Sequence, residues 1–352
     1  MRFVRLQGSP RQIGLQRGKS FGNLLSAIYK RKCASEGETE TKSAKEVVEK
    51  MNVIIRKFFP ELVEEMEGTA KSSGLAYQDI VLLNFSEEIS FGEQKDFCSQ
   101  IAFSATDNGP MLAKSEDAGT RRTYVVTEIC PDHGYRTLQL ISVDWIVGSG
   151  GGVNEKGLCV GQSTVWTRDK NEHGIPRLIL PRVLLQYCSN VGEAINFLKE
   201  YKLSFKGMNF MLLDNSGAIA VIEKSPFQQS IRRPDQGSNF LCCTNHFLTP
   251  TMWGMMELST GEEQNLEILI AREINSKARY ARLLDFARKY SRRPPSERSL
   301  KKLLRSHGIG GICQHGLLTT TFSLIVSPAR EEISATDTAP CNSNFVRYRF
   351  TQ

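Results

Sequence analysis

The sequence predicts an α+β protein in which antiparallel sheets carry their helices on the outside. Three observations predict it. The first 97 residues read almost wholly as helix, the hydrophobic period changes to two after Cys98, and the later strands come in pairs joined by tight turns. Two-strand blocks with short connections favour antiparallel sheets over a parallel doubly wound one.

Taken in order, residues 3–6 read as a short strand ended by Gly8-Ser9-Pro10. Residues 11–30 read as a helix whose Gly14, Gly18 and Gly22 recur every four positions and share one face. Glycines there suit close backbone packing, at about 1 kcal/mol each against alanine. Residues 33–43 are small and polar and read as an exposed loop. Residues 43–59 form an amphipathic helix with Val47, Val48, Met51, Ile54, Ile55 and Phe58 on one side, and Pro60 breaks it. A helix over 61–72 ends at Gly74, a residue suited to a left-handed terminus, and 77–90 form a fourth helix.

Strands are then expected over 98–105, 111–114, 123–129, 137–143 and 158–164. Residues 148–157 read as a glycine-rich turn that lacks the Gly-Lys-Ser/Thr ending of a phosphate loop. Helices follow at 176–187 and 191–201. A hairpin of 208–214 and 218–223 turns at Asn215-Ser216-Gly217, and a strand over 240–244 leads into Asn245-His246. Residues 249–264 are irregular, helices over 266–290 and 296–306 are split by Pro294-Pro295, and strands at 318–326, 331–335 and 344–350 close the chain.

Composition excludes several classes. The chain has 352 residues, 40% hydrophobic and 24% charged, with mean hydropathy −0.30, which is globular rather than disordered. No apolar run approaches the roughly 20 residues of a membrane helix. The N-terminus lacks the apolar core of a signal peptide, so a cytoplasmic location without a membrane partner is expected. Nine cysteines without a C-x-x-C pair, two of them adjacent at Cys242-Cys243, fit neither a disulfide framework nor a zinc knuckle. His307 and His315 flank a glycine-rich turn, and no metal or cofactor is expected. The net charge of +7 concentrates in 271–302, at Arg272, Lys277, Arg279, Arg282, Arg288 and their neighbours. Without an interleaved aromatic pattern this reads as a solvated helix face rather than a nucleic-acid surface.

The stretch Asp96-Phe97-Cys98-Ser99-Gln100-Ile101 opens a hairpin that turns at Asn108-Gly109 and returns through Met111-Leu112-Ala113-Lys114 to Asp117. The hairpin places a cysteine and a carboxylate near one another. Further motifs accompany it in order: Arg11-Gln12-Ile13-Gly14 through Gly18, Gly152-Val153-Asn154-Glu155-Lys156-Gly157, Asn209 through Gly217, Thr244-Asn245-His246-Phe247, Ser276 through Tyr280, Ile312-Cys313-Gln314-His315 and Thr319-Thr320-Thr321-Phe322-Ser323. In this combination the chain resembles the acyl-coenzyme A:6-aminopenicillanic acid acyltransferase-like family, the cysteine N-terminal-nucleophile hydrolases of peptidase family C45.

That resemblance implies a four-layer αββα sandwich made as a precursor and cut between Phe97 and Cys98. The products would be a helical segment, 1–97, and a β-rich catalytic segment, 98–352, forming one structural domain. Cys98 would be the nucleophile, Asp117 would orient its amine, and Asn245 would serve the oxyanion. A terminal amine has a pKa of about 7.7–8.0 against about 10.4 for lysine, so it can act as base for its own thiol. Relatives of the bile-salt-amidase kind carry Arg where this chain has Lys114, and many carry glycine where it has Phe97. Ser163 and Thr164 fall where relatives present a polar pocket residue, Trp166 reads as a wall of the acyl pocket, and His246 reads as structural. The expected activity is hydrolysis of a small-molecule acyl amide through a thioester acyl-enzyme. The alternatives are acyl transfer from a thioester to an amine, and an uncleaved homologue acting as a binding module.

Overall fold

Strands with apolar residues on both faces need cover on both sides, and four layers supply it. The computed structural model describes residues 1–36, 38–89, 97–119, 122–257, 274–290, 293–316 and 318–351. One sheet runs in the order β1 (Arg2–Gly8), β4 (Tyr124–Pro131), β5 (Thr137–Ser142), β6 (Gly151–Asn154), β7 (Cys159–Val165), β8 (Gly207–Leu213), β9 (Ile219–Lys224) and β10 (Gln229–Arg232). The second runs β11 (Phe240–Cys243), β2 (Phe97–Phe103), β3 (Met111–Ala118), β12 (Thr319–Ser327), β13 (Glu332–Thr336) and β14 (Val346–Arg349). Pairing is antiparallel except between β1 and β4.

The period of two sorts side chains between layers. In β8, Met208, Phe210 and Leu212 join the core under helices α1 (Pro10–Glu36) to α6 (Val191–Glu200), while Met211 and Leu213 face the second sheet. In β2, Ala102 faces the first sheet, while Ile101 and Phe103 pack on Leu283 and Leu303 of the outer helices Ser276–Lys289 and Glu297–Leu304. This is the expected αββα sandwich. Strand β1 docks on β4 while α1 and α3 (Pro60–Ser73) pack together over that sheet, so 1–97 and 98–352 interlock. Among the described residues no helix is long and apolar enough to cross a membrane.

Three readings change. Residues 33–43, expected as a loop, are helical up to Glu36 and again from Glu38, because a polar run of good helix formers suits a solvated helix as well as a loop. Phe58 is exposed and its neighbour Phe59 is buried in its place. The glycine-rich segment after 148 includes a true strand, β6; a Cβ at Gly152 would lie 2.2 Å from the Leu138 carbonyl oxygen, so glycine permits the close pairing. The helix end at 90, the stretch 258–264, the start of the helix read from 266, and Arg272 and Arg292 lie outside the described residues.

The glycine stripe of α1 does bring two backbones together. A Cβ on Gly14 would sit 2.0 Å from the Glu65 carbonyl oxygen, and one on Gly18 2.5 Å from that of Thr69. The close approach lets Arg17 reach Glu65 at 2.8 Å inside the helical layer. Gly14→Ala should therefore lower the unfolding free energy by about 1–3 kcal/mol, despite the roughly 1 kcal/mol gained in helix propensity. Urea unfolding would measure this, and a variant as stable as the parent would refute the contact.

Candidate active site

Strand register decides which groups meet. Phe97 pairs with Asp117, Cys98 with Glu116 and Gln100 with Lys114. Alternation then sends Cys98, Lys114 and Glu116 toward the first sheet, and Phe97, Ser99 and Asp117 toward the outer helices. Both strands are buried along their whole length, so every charge here needs a protein partner.

On the inner face, Lys114 Nζ lies 3.4 Å from Cys98 Sγ and 3.1 Å from Glu116 Oε2. It also stands 4.8 Å from the centre of the Phe322 ring. Burial opposes its charge, but attraction to Cys98 and Glu116 outweighs burial and leaves the lysine pKa raised. An ammonium at this distance favours the thiolate form of the cysteine. Tyr124 donates to the other Glu116 oxygen at 3.0 Å, and Cys98 Sγ is 4.0 Å from Glu116. The sequence reading singled out Asp117 to orient the Cys98 amine; the carboxylate beside the Cys98 sulfur is Glu116.

Asp117 sits on the opposite face. Its Oδ1 accepts from Thr320 Oγ1 at 2.6 Å, and Oδ2 is buried with no hydrogen-bond partner among the described residues. Burial raises its pKa to about 6 against the opposing pull of Arg279. Asn245, just beyond β11, accepts the Cys98 backbone N–H on Oδ1 at 2.9 Å and donates Nδ2 to the Thr164 carbonyl at 2.9 Å. In this uncleaved chain its amide thus holds the nitrogen of the Phe97–Cys98 bond rather than offering Nδ2 to an oxyanion.

Arg279 escaped the sequence reading, which counted it on a solvated face. It is fully buried. It donates to the Cys98 carbonyl at 2.6 Å, to Ser99 Oγ at 2.8 Å and to Asn245 Oδ1 at 3.0 Å. Its place within the Ser276–Tyr280 motif was the available signal. Ser276 supports the same corner by accepting the Asn245 N–H at 3.0 Å.

The other expected pocket residues are distributed differently. Ser163 donates to the Thr244 carbonyl at 2.8 Å inside the sandwich, and Thr164 contributes its backbone oxygen. Trp166 packs 5.3 Å from the Phe97 ring, with Leu318 completing the cluster. His246 hydrogen-bonds Ser276 at 2.8 Å, and burial, helped by Arg279, lowers its pKa to about 4, so it is neutral and structural. A cleft of about 550 Å3 opens nearby, lined by Arg122, Tyr124, Thr319, Thr320, Thr321 and Thr338 among others. Its floor therefore includes the partners of Glu116 and Asp117. Outside this site the fold gathers four Cys and His side chains, His307, Cys313, His315 and Cys341, that sequence spacing alone had kept apart.

The family model for acyl-coenzyme A:6-aminopenicillanic acid acyl-transferase matches residues 104–309, a span that contains Asp117, Asn245 and Arg279 and begins just after Cys98. The 40 kDa form of the acyl-coenzyme A:6-aminopenicillanic-acid-acyltransferase of Emericella nidulans is 24% identical over 255 residues, covering 70% of each chain. Among solved structures, penicillin V acylase from Agrobacterium tumefaciens is 16% identical with a TM-score of 0.44, over 68% of this chain and 83% of that one. The Caenorhabditis elegans ortholog of N-acylethanolamine-hydrolyzing acid amidase is 12% identical with a TM-score of 0.48, over 72% of this chain and 100% of that one. With a family match across more than half of its length, the chain belongs to the acyl-coenzyme A:6-aminopenicillanic acid acyl-transferase family.

Proposed function

We propose that the chain is a self-processing cysteine amidohydrolase that cleaves a small-molecule acyl amide. Family membership supports the broader statement, an enzyme that transfers acyl groups or acts on C–N bonds. The observation that carries the finer reading is the set of partners around one residue. Cys98 has an ammonium 3.4 Å from its sulfur, an amide oxygen 2.9 Å from its nitrogen and a guanidinium 2.6 Å from its carbonyl oxygen.

In the first step Cys98 Sγ attacks the Phe97 carbonyl carbon. The C–N bond breaks as the thiol proton passes to the Cys98 nitrogen, leaving Phe97 as a thioester on Sγ. Water hydrolyses that thioester to a Phe97 carboxylate, a free amine and a free thiol. In turnover the free amine takes the thiol proton, the sulfur attacks the substrate acyl carbon, and the amine product leaves with a proton. Water then releases the acid. Cys98 is only 3% exposed in the uncleaved chain, so substrate access follows from cutting and withdrawing the Phe97 end. An amine in place of water at the last step would make the enzyme a transferase, the activity named for the Emericella relative.

Intact mass spectrometry tests the processing. Wild type should yield two fragments parted at Phe97–Cys98, and Cys98→Ala one uncut chain; an uncut, active wild type would sink the mechanism. Assaying acyl amides and thioesters with and without added amine then separates hydrolysis from transfer. Arg279→Lys keeps the charge but loses the planar fork, so processing should slow by about 10–100-fold, the equivalent of one charge-assisted hydrogen bond. The half-life of the precursor on gels reads this directly, and an unchanged half-life would remove Arg279 from the machinery.

Asp117 gives a pH signature. Its pKa is raised from 3.8 to about 6 on folding, so between those values the native state holds a proton that the unfolded chain has lost. Stability contributed by Asp117 is full below about pH 4 and falls as pH rises toward 6, by on the order of 3 kcal/mol in all. Urea unfolding of Cys98→Ala with and without Asp117→Asn should show that decline flattened in the double variant. Parallel pH curves for the two proteins would refute the shift.

A further inference from the structure

We propose that His307, Cys313, His315 and Cys341 form a tetrahedral zinc site that fastens the loop after helix Glu297–Leu304 to the turn before β14. The four donor atoms lie within 4.8 Å of one another. His315 Nε2 stands 3.3 Å from His307 Nε2, 3.4 Å from Cys313 Sγ and 3.2 Å from Cys341 Sγ. A neutral imidazole nitrogen carries one proton or one lone pair, so it cannot hydrogen-bond to three neighbours at once. Convergence on a shared cation accounts for all three. Zinc–nitrogen bonds of about 2.0–2.1 Å and zinc–sulfur bonds of about 2.3 Å put tetrahedral donors about 3.3–3.8 Å apart, close to the three distances from His315. Two thiolates and two neutral imidazoles make a neutral zinc complex, and uptake of the ion releases the two thiol protons.

The surrounding backbone is braced for the purpose. Arg305 donates to the Pro340 and Ser343 carbonyls at 2.7 and 3.1 Å, joining the two segments beside the cluster. Cys313 N–H bonds the Ser306 carbonyl at 2.9 Å. The next residue, Gln314, donates its N–H to Thr320 Oγ1 at 2.8 Å, and Thr320 in turn holds Asp117. A metal here steadies the loop on which the Asp117 hydrogen bond rests. Among the described residues this is the one group of three or more His, Cys, Asp or Glu side chains gathered closely enough for a metal.

The test uses the full Cys98→Ala chain, which keeps the nucleophile from contributing a thiolate and makes the result independent of processing. Elemental analysis after dialysis should find about one zinc per chain. Chelation followed by addition of Co2+ should give the intense visible bands of tetrahedral thiolate coordination. Adding His307→Ala and Cys341→Ser together should abolish both signals. A chain that holds no zinc and takes up no Co2+, zinc retained by the ligand variant, or a Cys313–Cys341 disulfide in the isolated protein would each overturn the proposal. Where the ligand variant fails to fold, the cobalt spectrum of the parent chain decides.

Discussion

The contacts around the Phe97–Cys98 bond depend on one buried guanidinium. Arg279 comes from an outer helix and bonds Asn275 at that helix's start, yet its other side-chain hydrogen bonds end on Cys98 and Ser99 of β2 and on Asn245 beyond β11. An unpaired charge at that depth would destabilise the fold by about 3–5 kcal/mol. Helix Ser276–Lys289, β2 and the Asn245 segment therefore have to assemble together. The flat fork of arginine can serve a carbonyl, a hydroxyl and an amide at once, which the single nitrogen of lysine cannot do with the same geometry. Burial lowers its pKa from the ordinary value, while Asp117 and Cys98 pull it back up, so the cation is retained by its site.

The Phe97–Cys98 bond is held from both ends. On its acyl side the Phe97 ring packs with Trp166 and Leu318 and lies under the Arg279 guanidinium at 5.8 Å. On its amine side Asn245 and Arg279 fix the Cys98 nitrogen and carbonyl. The aromatic ring of Phe97 therefore acts as an anchor. For the proposed cleavage, orienting the Phe97 carbonyl by packing would lower the entropy to be lost before attack.

The sequence made the layers legible because alternation and glycine spacing are local. The stripe of Gly14, Gly18 and Gly22 told of a close helix contact that the structure contains. The change of period at Cys98 marked where the second sheet begins. What it concealed depends on register and burial. Asp117 was found by its spacing, but in a strand one position separates two faces, and Glu116 holds the inner one. Arg279 was hidden among basic residues because charge is local whereas burial is set by chain segments far away in sequence. The four Cys and His side chains were invisible as a group because Cys341 arrives from a distant turn.

Charge balance around the sulfur limits the chemistry the pocket can carry. Lys114 and Arg279 bring two positive charges, and Glu116 with ionised Asp117 brings two negative ones, so the surroundings sum to zero. A buried site of zero net charge disfavours any step that creates a lone ion. In the proposed mechanism, passing a proton from the Cys98 thiol to its freed amine creates none, since thiol with amine and thiolate with ammonium have the same total charge. Such a pair can change form inside the sandwich without a compensating ion from solvent. Protonating Asp117 near pH 6 would leave the surroundings with one excess positive charge, which favours thiolate and disfavours ammonium. In the proposed mechanism the thiol and the amine of Cys98 are thus opposed in their response to acid, and the neutral balance above that pH is the condition in which both would operate.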